Sequence, residues 1–332
     1  MTTIKDIARE ANVPVSTVSY VLNRKGKPTK EKHKRILDIA KQLNYVPNQK
    51  AISLVSGRSN HVGMIIGRAP AATFSEPFFS EVLYNLTLRL SQENMGLTLY
   101  TCDSADVAQL SSFVLNGNTD AMIWYMGVIP EEIKQLAAQR NLPLLVLLEK
   151  DDRNNDVNVL TSDDYAAERK VLQYLYNVNH RDLLFVSGTG DSPRMRAYSD
   201  FCEEHGLRRQ LLRVGSTVLD AYRSMDEFLK EGNRGFTAIA AETDIKAIGV
   251  MQALKKWQIA VPDDVSVIGY DDIPLAQLCD PPLTTVQQTI GTMMDDAVRI
   301  LLDKIDNRNH EPIHKLYVHD LVIRGTTALK RD

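Results

Sequence analysis

Between Val15 and Asn23 the sequence VSTVSYVLN sets Val18, Val21 and Leu22 at helical spacing on one side and leaves Ser16, Thr17, Ser19 and Tyr20 on the other. Short hydroxyl side chains let a helix come close to base edges and phosphate oxygens, while neighbouring lysines and arginines neutralise backbone charge. The charge is present. Residues 1–60 hold twelve Lys/Arg against four Asp/Glu, a balance of +8; the rest holds 27 basic and 38 acidic residues, a balance of −11. A basic head on an acidic body is the pattern of a polyanion-binding module joined to a part that does not bind polyanions, although a charge run alone can be a solvated face. Two other patterns suggest chemistry and fail on inspection. His310-Glu311-Pro312-Ile313-His314 has the HExxH spacing of a zinc protease, but that chemistry needs both histidines one turn apart on a helix, and Pro312 stands between them. Gly188-Thr189-Gly190 follows an apolar strand, yet Pro193 takes the place of the third glycine of a dinucleotide site. No P-loop or GxSxG occurs, so no metal, cofactor or catalytic group is expected.

The elements that must hold the polar helix can be read from its flanks. Thr3 is placed to cap a first helix whose Ile4, Ile7, Ala8 and Ala11 share one face, its hydroxyl positioned to accept the Asp6 N–H. Asn12-Val13-Pro14 breaks that helix, since Pro14 disfavours helical geometry at Val13 but suits the first turn of the next one. After the Gly26-Lys27-Pro28 loop, Thr29 caps a third helix, and Ile36, Leu37, Ile39, Ala40 and Leu43 are expected to close a three-helix core ending near Asn44. Two short helices joined by a tight turn fit a helix-turn-helix, and any small three-helix bundle shows the same period.

From His61 onward short apolar runs alternate with amphipathic segments. Strands are expected at Val62–Ile66, Leu97–Thr101, Ala121–Tyr125, Leu144–Leu148, Leu183–Val186, Ala238–Ala241, Val265–Tyr270 and Thr284–Val286, with helices between them. Apolar strands flanked by helices mean parallel sheets covered on both faces, in one barrel or in two doubly wound lobes. The 332 residues suit two or three domains, and 44% hydrophobic with 24% charged residues excludes a disordered or fibrous chain. No apolar run nears the ~20 residues needed to cross a membrane. The polar start MTTIKDIARE and three scattered cysteines (Cys102, Cys202, Cys279) point to the cytoplasm, without secretion signal or disulfide framework.

The run TIKDIAREANVPVSTVSYVLNRKGKPTKEKHKRILDIAKQLNYVPN, residues 3–48, resembles the DNA-binding headpiece of the LacI/GalR family of bacterial repressors in its TIKDIA opening, its STVSxVLN helix and its LNYVPN close. By that resemblance Val15, Ser16 and Tyr20 are base readers, and Thr17, Ser19, Asn23 and Thr29 touch phosphates. Pro14 departs from the serine many members carry. Tyr20 stands where many carry an arginine able to read guanine bidentately, so the operator at that position is not carried over. Residues 47–60, opening PNQKAISLVSGRS, resemble the family's hinge helix. Asn48 and Ala51 would meet backbone and minor groove, and Leu54 would pry open a base step, offsetting unstacking by bending DNA onto more protein.

The resemblance also decides the body: a periplasmic-binding-protein-like domain of two Rossmann-like lobes. The expected architecture is α/β, with a headpiece at 1–46, a hinge at 47–60 and a body at 61–330. Lobe one would take about 61–160 and 291–318, lobe two about 161–290 and 319–330. Ligands in such sheets sit beyond the carboxyl ends of the strands. Asp271, in GYDD, resembles an acceptor of sugar hydroxyls, and Arg196, in RMRAYSDF, matches an arginine that grips effector. Asp244 lies in ETDIKAIG, similar to the family's NDxxAxG with Thr243 in place of asparagine. Phe78 and Phe79 match aromatics able to stack a ring, and Glu149 and Asp163 stand at strand ends. The resemblance implies a homodimeric repressor on a pseudo-palindromic operator, controlled by a small molecule such as a sugar. The alternatives are a co-repressor of purine-like or phosphorylated type and a solute-binding protein without DNA function.

Overall fold

The computed structural model describes residues 2–22, 30–45, 57–66, 70–101, 106–116, 118–149, 151–188, 190–307 and 311–331. The chain divides into two compact units, Met1–Asn60 and His61–Asp332.

The smaller unit holds α1 (Ile4–Ala11), α2 (Val15–Leu22) and α3 (Lys30–Gln42). Its core is Ile7, Ala8 and Ala11 from α1, Val18 and Val21 from α2, and Ile36, Ile39 and Ala40 from α3. Leu37, expected inside, is exposed, because Ile36, Ile39 and Ala40 already occupy the inward arc and the next residue turns about 100° away. At the start of α1 the Asp6 carboxylate accepts both the Thr3 N–H (2.9 Å) and the Thr3 hydroxyl (2.7 Å). With the Thr3 side chain facing the Asp6 N–H, the two residues form a reciprocal capping box, and that N–H also reaches the Thr3 carbonyl (3.0 Å). Asn12, left-handed at φ 51°, ends α1 and sends the chain back into α2.

The larger unit begins with β1 (His61–Ile66), α4 (Pro70–Ser75), α5 (Pro77–Gln92), β2 (Gly96–Thr101), α6 (Val107–Leu115), β3 (Ala121–Tyr125), α7 (Glu131–Gln139), β4 (Leu144–Leu147) and β5 (Asn158–Ser162). Next come α8 (Asp164–Asn177), β6 (Leu183–Ser187), α9 (Pro193–Glu204), β7 (Gln210–Arg213), α10 (Val218–Lys230), β8 (Ala238–Ala241), α11 (Asp244–Lys256), β9 (Ser266–Ile268) and α12 (Pro274–Leu278). β10 (Thr285–Gln287), α13 (Ile290–Asn307), β11 (His314–Tyr317) and β12 (Asp320–Val322) complete it.

One lobe is built on a six-stranded sheet in the order β11-β5-β4-β3-β1-β2, every pair parallel. The other has a parallel four-stranded sheet, β7-β6-β8-β9, and an antiparallel pair, β10-β12, bridged to it at Ile268–Thr284 and Asp271–Gln287. The central strands β1, β3, β4, β6, β8 and β9 are nearly continuous buried apolar runs, as sheets covered on both faces require. β5, β7, β11 and β12 were not expected from the sequence. β7, β11 and β12 are short, largely exposed and polar, and β5 mixes Asn158, Thr161 and Ser162 with its apolar residues, so none offers a clear apolar run.

The chain passes between the lobes at three places: Ser162 to Asp164, Gln287 to Ile290, and Tyr317 to Asp320. α13 packs on the six-stranded sheet through Met293, Met294, Ala297 and Leu301, and α8 packs on the four-stranded one through Ala167, Val171, Leu172 and Leu175.

Candidate nucleic-acid face and ligand cleft

On α2 the phase of the helix separates two jobs. Val18 and Val21 are fully buried, while Val15 and Tyr20 are 41% and 58% exposed and Ser16 is exposed. Thr17 and Ser19 are half-buried on the flanks. Val15, Ser16, Ser19 and Tyr20 thus share one face, as one turn of spacing dictates. No acid stands in the first turn of α2, which leaves its positive N-terminal end open to an anion. Asn23, Thr29, Asn48, Ala51 and Leu54 lie outside the described residues.

In the larger unit the strand ends converge on the space between the lobes. One cavity there, of about 420 Å³, is lined by Phe74, Glu76 and Glu81 from one lobe and Ile273, Pro274 and Leu275 from the other. A second, of about 400 Å³, is lined by Phe78, Asn85, Asp271, Asp272, Gln287 and Gln288. Asp271 follows β9 at φ 117° and Asp272 at φ 56°, two consecutive non-glycine residues in a costly backbone region. Such strain persists where surrounding bonds enforce it: the Asp271 N–H donates to the Val286 carbonyl (2.9 Å), and Gln288 Nε2 donates to its carboxylate (2.6 Å). Burial pushes the Asp271 carboxyl well above the usual range, the nearby Asp244 carboxylate adds to this, and Arg194 opposes it. Asp272 is committed elsewhere, accepting from Arg324 (2.6 Å) and Gln287 (2.8 Å).

The arginine facing this cluster is Arg194, where the sequence pointed to Arg196. Arg196 is exposed and pairs with exposed Asp191 at 3.0 Å. Two residues apart on α9 means about 200° of rotation, so the two guanidinium groups leave the helix on opposite sides. Arg194 lies 3.3 Å from the Asp164 carboxylate, donates to the Glu242 carbonyl, and rests over the Tyr270 ring at 4.0 Å from its centroid. Tyr270 in turn donates to Asp164 (2.9 Å).

Asp244, expected to face ligand, is fully buried and spent inside the lobe. It accepts the Ile273 N–H (2.9 Å) and the Thr285 hydroxyl (2.5 Å), tying the loop after β9 to β10. Burial raises its carboxyl to about 7 against the pull of those bonds. Phe79 is also a correction: 1% exposed, it packs in the lobe core 4.8 Å from Tyr125 and edge-on to Phe74, while Phe78 is half-buried and lines the cavity. Thr243 caps α11 by accepting the Lys246 N–H (3.3 Å), Asp163 caps α8 by accepting from Ala166 (3.0 Å), and Glu149 accepts the Gly127 N–H (3.0 Å).

Glu242, absent from the sequence candidates, follows β8 and accepts from Gly188 (2.7 Å) and the Ser187 hydroxyl (3.1 Å), with Lys246 at 3.6 Å. Burial would push its carboxyl up, but Arg194 and Lys246 more than offset this and hold it at about 2. The strand-end rule that selected Glu149 and Asp163 would have found it. His314 lies in β11 and Glu311 outside any helix, so the HExxH spacing does not form its helical geometry. Among the described residues there is no group of three or more metal-ligating side chains and no helix long and apolar enough to cross a membrane.

Two family descriptions match the chain: bacterial regulatory proteins of the lacI family over residues 3–48, and a periplasmic binding protein-like domain over residues 172–327. Among curated proteins, the transcriptional regulator AscG of Escherichia coli (strain K12) is 28% identical, with 94% of each chain covered. The ribose operon repressor of Halalkalibacterium halodurans is also 28% identical, covering 98% of this chain and 97% of its own. Among solved structures, a lac repressor dimer bound to operator and the anti-inducer ONPF has a TM-score of 0.84 at 21% identity, over 98% of this chain and 99% of its own. A complex of the regulator CelR with cellobiose has a TM-score of 0.70 at 22% identity, over 98% and 100%. At such identities the structures speak to the fold.

Proposed function

Proceeding from a chain that belongs to the LacI family of bacterial regulatory proteins, we propose that it is a sequence-specific transcriptional repressor. Its hold on a pseudo-palindromic operator is set by a small polyhydroxylated molecule bound between the lobes. The observation that carries this reading is the exposed Val15–Ser16–Ser19–Tyr20 face of α2, in a segment of +8 charge ahead of an acidic body. That face enters the major groove, where Ser16 and Tyr20 read bases and Val15 packs against them. Thr17, Ser19, Asn23 and Thr29 contact phosphates. Asn48, Ala51 and the Leu54 wedge act at the minor groove from a hinge over residues 47–60. A two-fold site calls for a two-fold protein, so the repressor works as a homodimer.

In the cleft, Asp271 accepts from ligand hydroxyls and Arg194 donates its fork to adjacent oxygens. Asp164, Glu242 and Asp271 gathered around one guanidinium favour an uncharged polyol over a phosphorylated ligand. Ligand binding changes the lobe angle, and operator affinity and ligand affinity are coupled reciprocally. The protein acts by binding, in the cytoplasm, without a cofactor or catalytic step.

The test selects an operator for the full-length chain from random duplexes, then titrates the complex with sugars. Recovery of a two-fold sequence whose affinity falls steeply with salt and changes with one sugar is the expected result. Retention of DNA binding by a chain lacking residues 1–58 overturns the assignment of the DNA site.

A further inference from the structure

Among the described residues, seven buried side-chain atoms have no hydrogen-bond partner: Tyr125 Oη, Glu168 Oε1, Arg169 Nη1, Arg194 Nε, Thr289 Oγ1 and both ring nitrogens of His319. Each such atom costs stability, so a cluster of them calls for a reason. Their placement supplies one. Thr289 and His319 lie in two of the crossings between the lobes, Glu168 and Arg169 stand one turn into α8 beyond the third, and Tyr125 ends β3 at the cleft. Within this set one donor and one acceptor suit each other. Glu168 is 1% exposed and sits one turn beyond Asp164 on the same face of α8, the face that meets Arg194. Arg194 is the charge that acts on Glu168 most strongly.

We propose that Glu168 is a positioning residue for Arg194: protonated, it leaves the guanidinium on Asp164 and open to the cleft; ionised, it accepts the Arg194 Nε–H and draws the fork inward. The proposal rests on the reading of Arg194 as a ligand-holding group. The O–H bond of the carboxyl breaks, its proton goes to solvent, and the remaining negative charge is met by the guanidinium. Burial raises the Glu168 carboxyl to about 8, with Glu242 and Asp164 reinforcing the rise and Arg194 opposing it, so near neutral pH the proton is mostly in place. The other groups around the pair are Tyr270, raised by burial and by Asp164, and His319, 3.8 Å from Asp164 and lowered by burial, with Lys170 donating to the His319 carbonyl. Their titrations fall on either side of that of Glu168. Asp271 is raised too and also acts on Arg194, so a variant at Glu168, and not pH alone, decides the matter.

The full-length protein is labelled with 15N-arginine, and the Arg194 Nε–H signal, identified by its loss in R194K, is followed from about pH 6 to about pH 10. The expected result is a downfield move and slowed hydrogen exchange with a midpoint near 8. E168Q abolishes the transition, and E168D restores one with a displaced midpoint. A signal that does not move, or moves alike in E168Q, overturns the proposal. If E168Q fails to fold, a midpoint unchanged in E168D overturns it equally. No ligand enters the measurement, so a negative result leaves the effector reading of the cleft to be judged by its own titration.

Discussion

The outward face of α2 and the floor of the cleft do their work on opposite terms. On α2 the side chains proposed to contact DNA are those the core rejects: Val18 and Val21 go inward, and Ser16 and Tyr20 stay on the outer face. In the cleft the chemically interesting side chains are those the core retains. Asp244 is fully buried and braces Ile273 and Thr285, Phe79 is core, and Arg194 is held by Asp164, Tyr270 and Glu242. A surface site can therefore be read from one helix and its period. An interior site depends on which of two adjacent polar groups the packing turns toward the cavity.

Substitutions can break this contrast. The largest effect is expected at Phe79→Ala, about 3–5 kcal/mol of body stability by chemical denaturation, as for any large core aromatic. Unchanged stability with lost ligand binding would return Phe79 to the cleft. Arg194→Ala should then weaken ligand binding by about 1.5–3 kcal/mol, the range for hydrogen bonds from a charged group, while Arg196→Ala stays within about twofold by calorimetry. The reverse ranking would mean that α9 is phased differently in solution. On the exposed face, Tyr20→Ala should cost about 1–3 kcal/mol of operator affinity and relax preference at one base position, whereas loss of a phosphate contact weakens all sequences alike.

A further effect concerns pH. The Asp244 carboxyl is raised from 3.8 to about 7 in the folded chain, so the protein holds a proton there that the unfolded chain has lost. Its contribution to stability is complete below about pH 4 and declines as pH rises towards 7. Melting curves across that range should show a downward component that Asp244→Asn removes. A variant that keeps the full slope would assign it to another group.

How much of this was legible depended on distance along the chain. The helices of the small unit follow from local period and capping. Arg194 and Arg196 share the first turn of one helix, and the spacing of RMR holds no information about which one faces inward. Asp244 resembles a ligand residue at the sequence level because the groups that consume its oxygens, Ile273 and Thr285, stand 29 and 41 residues away. Phe78 and Phe79 are neighbours, and only the packing of Tyr125 and Phe74 assigns one of them to the core. β11 stayed invisible because three of its four residues are exposed and its pairing with β5 joins distant parts of the chain.

That pairing bears on biosynthesis. The six-stranded sheet takes one of its edge strands, His314–Tyr317, and much of its helical cover, Ile290–Asn307, from segments that follow the other lobe's four-stranded sheet in the chain. The lobe whose strands are translated first is thus the one that must wait, with an uncovered apolar face, until these later segments have emerged. Its nascent form is a natural client for chaperones.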